Sequence, residues 1–241
     1  MALDIQHGDI VQIQLNHPAG GNAFGLNEAR QLKNAMESWQ IEELVGIIFS
    51  SALPGFFCSG GNLKDYAKLS QKSEGLEVNR QIQNILNEFY QIPVLKVACV
   101  NGLCIGGGME LLSAFDYVLS SPHSLFGFWQ RRVGLTFGWG GWERWQQKLT
   151  RYSLHKAALS AQTVGALQAR DYGWVDEIAS PETLVAKALW LLESQKSFPK
   201  GPRQAYKNLL FQGNELLEFS NLWWEEEHLA RLSTYGKKVP G

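Results

Sequence analysis

Two short apolar runs in this chain each end in a cluster of glycines, and that pairing limits what the surrounding fold can be. The first is Phe57-Cys58-Ser59-Gly60-Gly61-Asn62-Leu63; the second is Val100-Asn101-Gly102-Leu103-Cys104-Ile105-Gly106-Gly107-Gly108-Met109-Glu110. Glycine makes up 24 of 241 residues, above the usual ~7%. Taken singly, each cluster does no more than permit a sharp strand-to-helix turn. Taken as a pair, they offer a second use. A glycine at the start of a helix leaves backbone N–H groups unpaired and pointing into a cleft, aided by the helix dipole. Two such donors make an oxyanion hole, and Glu110, three residues after Gly107, is placed to move a proton at the carbon next to that oxygen. The competing reading of Glu110 is a solvent-exposed carboxylate in a first helical turn.

The rest of the chain reads as strand and helix units followed by helices. Val11, Ile13 and Leu15 alternate with polar residues as in a half-buried strand. Leu26, Ala29, Leu32, Met36 and Trp39 have the spacing of an amphipathic helix. Val45–Phe49 and Val94–Val100 read as buried strands, Phe56–Asn62 as a loop, Lys68–Gly75 as a mobile polar stretch and Val78–Tyr90 as a helix. Tyr117–Leu119 and Leu125–Phe128 read as two further strands. After Gly141, helical spacing runs through Ser153–Ser160, Val164–Tyr172, Pro181–Gln195, Arg203–Phe211 and Leu216–Leu232. The expected class is α/β with a parallel-sheet core.

Composition removes several function classes. Lys plus Arg total 22 and Asp plus Glu total 23, so no concentrated positive field marks nucleic acid or an anionic membrane as the partner. Three cysteines without a CxxC pair suggest neither a disulfide framework nor a zinc ribbon, and a reducing, cytoplasmic setting is expected. Met1 to Gly8 carries no signal-peptide pattern, and no apolar run approaches the ~18 residues of a membrane span. Five scattered histidines without HExxH give no support to a metal site. A phosphate loop needs Lys and then Ser or Thr after its last glycine, where this chain has Met109 and Glu110. Neither loop has the G-x-G-x-x-G spacing of a dinucleotide fold. Cys58, Cys99 and Cys104 read as small apolar residues rather than nucleophiles.

The two loops, in this order and separated by a strand, resemble the crotonase (enoyl-CoA hydratase/isomerase) superfamily. The resemblance takes in Leu15-Asn16-His17-Pro18, Asn22-Ala23, FCSGGNLK and VNGLCIGGGMELLSAFDYVLSS, and continues through FGFWQRRVGLTFGWGGWERW to GPRQAYKNLL. It implies a crotonase-like spiral of ββα and βαβ units over residues 1–195, a helical oligomerisation region over 196–241, and a homotrimer or hexamer. It implies an acyl-CoA substrate whose thioester carbonyl is held by the amides of Gly61 and Gly107, with Glu110 as acid or base. Ala19, Asn22, Ala23, Asn62, Leu63 and Lys64, with Gly61 and Gly107, fall on substrate- or CoA-contacting segments. No metal and no cofactor other than the substrate's own coenzyme A is implied.

The departures from the family pattern bear on the reaction. Hydratases of the family use two glutamates; the first matches Glu110, and the second matches Gln130, an amide that cannot exchange protons as a carboxyl group does. Asn62 stands where an aspartate is usual. Phe137, Trp139, Trp142 and Trp145 replace small residues; Trp142 and Trp145 have core spacing, whereas Trp139 or Phe137 could narrow an acyl pocket. The readings left open are an enolate-forming isomerase or modified hydratase, a methylmalonyl- or ethylmalonyl-CoA decarboxylase with Arg131 or Arg132 facing the substrate carboxylate, and a non-catalytic acyl-CoA-binding protein.

Overall fold

The computed structural model describes residues 2–211 and 213–235, apart from the side chains of Ala19 and Tyr235. In chain order it begins with β1 (Leu3–Gln6), β2 (Ile10–Leu15), α1 (Leu26–Met36), β3 (Gly46–Ser51), β4 (Gly55–Cys58), α2 (Leu63–Tyr66) and α3 (Lys72–Gln91). Next come β5 (Leu95–Val100), β6 (Gly102–Ile105), α4 (Gly107–Leu112), β7 (Tyr117–Ser120), β8 (Leu125–Gly127), α5 (Gly141–Gln146) and α6 (Arg151–Ser160). After them lie β9 (Val164–Gly165), α7 (Ala166–Asp171), β10 (Glu177–Ile178), α8 (Leu184–Ser194), α9 (Pro202–Leu210), α10 (Glu215–Leu222) and α11 (Glu226–Tyr235). The chain divides into two compact units, Met1–Leu192 and Glu193–Gly241. Among the described residues, no helix is long and apolar enough to cross a membrane.

From β3 to β8, consecutive strands alternate between two sheets, which makes the first unit a spiral. One sheet has the order β1-β2-β3-β5-β7-β10, parallel except for the β1–β2 pair; the other has the order β4-β6-β8-β9, parallel except for β8–β9. Both faces of the larger sheet are covered, so its strands read as continuous apolar runs rather than alternating ones. Ile47, Phe49, Ala98 and Val100 face the main core, which also holds Ile82, Leu86 and Phe89 of α3. Ile48, Val97, Cys99 and Leu119 face the opposite way, onto Leu184, Ala188 and Leu192 of α8.

Several elements differ from the sequence expectation. The segment expected as a glycine loop over Phe56–Asn62 contains β4, and the second glycine segment contains β6; both are short strands whose partners are distant in sequence. The stretch expected to be mobile is partly helix. Glu74 accepts hydrogen bonds from the N–H groups of Ser70 and Gln71 (2.8 and 3.2 Å), capping α3 so that it begins at Lys72. Val164 opens the two-residue β9 instead of a helix. The helix expected over Leu216–Leu232 is broken, because Trp224 takes a left-handed conformation (φ 78°) between α10 and α11.

β4 leaves no room for a side chain at Gly102 of β6, which has φ 141°; a Cβ there would lie 2.2 Å from the carbonyl carbon of Gly55. Gly102→Ala is therefore expected to force the two strands apart and destabilise the fold by about 3 kcal/mol or more. Denaturant unfolding of the two proteins checks this; an unchanged midpoint would contradict the packing described.

Candidate active site

The two glycine turns meet because of strand register. β4 and β6 run parallel with Cys58 opposite Cys104, and Gly61 and Gly107 each lie three residues beyond that pair. The chain turns at the preceding glycines, Gly60 (φ 103°) and Gly106 (φ 53°), conformations that L side chains disfavour. The result is a close pair of amides: a Cβ added to Gly107 would lie 3.0 Å from the Gly61 nitrogen. Gly107 is the first residue of α4, where a helix N–H has no partner within its own helix. Among the described residues, neither N–H donates in any turn, loop or cap hydrogen bond. Two adjacent donors of this kind suit an oxygen that gains negative charge.

Glu110 lies one turn into α4 and is 3% exposed, which overturns the reading of it as a solvent-exposed carboxylate. Its oxygens accept from the backbone N–H groups of Trp139 (2.8 Å), Gly138 (3.2 Å to each oxygen) and Gly141 (3.2 Å). The only side-chain donor to it among the described residues is the Gln130 amide, at 3.3 Å, so the structure brings together the two positions singled out in the sequence. Gln130 also donates to the Gly106 carbonyl (3.1 Å), while its own carbonyl oxygen is buried without a partner. Burial raises the Glu110 pKa above the ordinary carboxylate value, and the three backbone donors and Gln130 offset this only in part.

Sequence reasoning missed Arg144, which is 2% exposed beneath the same loop. It donates to the Trp139 carbonyl (2.8 Å), the Glu110 carbonyl (3.3 Å), Ser113 (2.8 Å) and Asn87. Burial lowers its pKa to about 10, against the opposing pull of the Glu110 charge. An arginine among tryptophans on a short helix gave no periodic signal. Only the topology shows that it faces inward.

Trp139 is buried, and its indole lies directly over the glycine pair. A Cβ on Gly107 would sit 2.5 Å from its Cζ3 and Cη2 atoms, and one on Gly61 would sit 3.5 Å from its Cζ2 and 3.2 Å from Tyr66. Trp145 is core, as its spacing suggests, and donates to the Met109 carbonyl (2.7 Å). Trp142 packs half-buried against Phe137, with ring centroids 5.3 Å apart.

Asn22 is fully buried at φ 58°, accepts from the His17 N–H (2.8 Å) and donates to Ser51 (2.6 Å), so its side chain shapes the turn before α1. Ala23 is buried; Ala19 lies in the preceding turn, with its side chain outside the described residues. Asn62 donates to Asp65 (2.6 Å) at the start of α2, and Leu63 and Lys64 are exposed on that helix. Arg131 and Arg132 donate to the carbonyls of Leu159 and Ala161 at the end of α6, so both are engaged there instead of facing Glu110. Cys58, Cys99 and Cys104 are buried, and burial pushes the first two thiols up to about 12, which leaves no reactive thiolate.

Comparison with known proteins agrees with this architecture. Residues 5–217 match the enoyl-CoA hydratase/isomerase family. The chain belongs to that family, within the crotonase superfamily, and is an enzyme of that class. The ethylmalonyl-CoA decarboxylase of Danio rerio is 32% identical over 208 residues, covering 83% of this chain and 68% of that protein. The methylglutaconyl-CoA hydratase of Homo sapiens is 27% identical over 236 residues, covering 95% and 69%. The solved enoyl-CoA hydratase of Bacillus anthracis superposes with a TM-score of 0.88 over 100% of this chain and 98% of that one, at 21% identity.

The Glu110 environment yields a pH prediction. A carboxyl group whose pKa rises on folding favours the folded state most while protonated, and loses that advantage as pH rises through its folded value. Glu110→Gln turns an amide NH2 toward backbone N–H donors and is expected to cost about 1–3 kcal/mol. The loss should be greater in mildly acidic than in mildly alkaline buffer. Denaturant unfolding across pH measures it, and a loss independent of pH would contradict the raised pKa.

Proposed function

We propose that this site forms the enolate of an acyl-CoA thioester, and that it does so by decarboxylating a malonyl-type substrate of the methylmalonyl or ethylmalonyl kind. The observation that carries the reading is the partner of Glu110: where a proton-exchanging pair would need a second carboxyl group, the facing side chain is the Gln130 amide. Decarboxylation needs no such pair. The bond between the α-carbon and the substrate carboxylate breaks, carbon dioxide leaves, and the electron pair moves onto the thioester oxygen facing the Gly61 and Gly107 N–H groups. Glu110, whose protonated form burial favours, then supplies a proton to the α-carbon. The similarity to ethylmalonyl-CoA decarboxylases supports this choice.

In this reading, the turn containing Ala19, Asn22 and Ala23 and the segment Gly61-Asn62-Leu63-Lys64 flank the coenzyme A portion, with the exposed Lys64 ammonium available to it. The enolate chemistry calls for no metal or redox group, and residues 196–241 serve self-association into a trimer or hexamer. A second reading, isomerisation or modified hydration, draws on the unpartnered Gln130 carbonyl oxygen, an acceptor suited to a water or hydroxyl group, and on the similarity to methylglutaconyl-CoA hydratase.

Mass spectrometry of the protein with enoyl-, β,γ-enoyl-, hydroxyacyl- and malonyl-type CoA thioesters distinguishes these. Loss of carbon dioxide from the branched malonyl thioesters is expected, and Gln130→Glu should lower that turnover by roughly tenfold or more while adding hydration of crotonyl-CoA. Wild-type protein that hydrates crotonyl-CoA and leaves every malonyl thioester intact would overturn the decarboxylase reading.

A further inference from the structure

The indole over the glycine pair is fixed from outside its own loop. Asn79, on α3, accepts two hydrogen bonds at one oxygen: from Trp139 Nε1 (3.0 Å) and from the Tyr66 hydroxyl (3.1 Å). Its amide nitrogen donates to the Gly75 carbonyl one turn back (2.7 Å), which sets the amide so that the oxygen faces the indole and the phenol. Trp139 Nε1 also lies 3.3 Å from the Tyr66 oxygen, closing a triangle of polar groups. Phe24 packs against the indole, with centroids 5.9 Å apart. A buried indole N–H that leaves its acceptor loses a hydrogen bond without gaining water, so the ring is held in place.

We propose that Asn79 is a positioning residue that sets acyl size: by holding Trp139 and Tyr66 against Gly107 and Gly61, it confines the site to short-chain acyl thioesters. This rests on the acyl-CoA reading above. An acyl group whose carbonyl oxygen meets the two glycine amides must pass the indole edge. Because Asn79 fixes that edge through hydrogen bonds rather than bulk, removing its oxygen frees the indole without filling the space.

Calorimetric titration with butyryl-CoA and octanoyl-CoA tests the proposal, since neither saturated thioester carries a carboxylate to lose or a double bond to hydrate. Wild-type protein should bind butyryl-CoA at least about tenfold more tightly than octanoyl-CoA. Asn79→Leu should bring the two affinities close together, whereas Asn79→Asp, which keeps the acceptor oxygen, should preserve the preference. A general structural role for Asn79 would weaken both thioesters alike; an unchanged ratio in Asn79→Leu overturns the proposal. If Asn79→Leu does not fold, Trp139→Phe, which removes the indole N–H and shortens the ring, takes its place with the same expected and contradicting results. Equal wild-type affinities would sink the size limit and leave the acyl-CoA reading standing. Binding of neither thioester would remove both.

Discussion

The parallel pairing of β4 with β6 is the constraint on which the site depends. Two glycine turns separated by some forty-five residues become neighbours because Cys58 and Cys104 share a rung and each turn begins the same distance beyond it. A one-residue slip would send the Gly61 and Gly107 amides to opposite sides of the small sheet. The near-zero clearance at Gly102 helps to fix the register, since a side chain there would meet the Gly55 backbone. The larger sheet packs apolar residues on both faces, whereas the smaller one brings the two glycine turns together.

A second requirement is the seating of the loop that covers those amides. Residues 138–141 are held from below by two buried side chains: the Glu110 carboxyl accepts from the N–H groups of Gly138, Trp139 and Gly141, and the Arg144 guanidinium donates to the Trp139 carbonyl. Each group meets backbone dipoles, so the pair works as a clamp rather than as a simple ion pair. This gives Glu110 two roles. It shapes the ceiling of the site and, in the proposed reaction, supplies the proton, so its substitution should affect fold and chemistry together.

Much of this was legible in the sequence. The order of the glycine loops marked Gly61 and Gly107 as a pair with Glu110 close by, and the longer strands and helices before Gly141 lie where their apolar patterns put them, whereas the expected Leu216–Leu232 helix is broken at Trp224. The short second-sheet strands were not legible, because four residues such as Gly55–Cys58 carry too little pattern to show a period and take their conformation from distant partners. Nor was the inward face of Asn79, Gln83 and Asn87, whose four-residue spacing resembles a solvated helix face until the loop is seen beside it. Gln130 was visible as a departure, but only the structure shows its contact with Glu110. Arg131 and Arg132, adjacent to it in sequence, turn away to cap α6.

The most direct test of the account is difference infrared spectroscopy of butyryl-CoA, labelled at its thioester carbonyl, bound to this protein. If the Gly61 and Gly107 amides polarise that oxygen, the carbonyl stretch will move to lower frequency on binding, and Gly107→Ala, whose methyl group would displace the indole and crowd the Gly61 nitrogen, will reduce the shift. A bound thioester with its carbonyl frequency unchanged from solution would contradict the central claim.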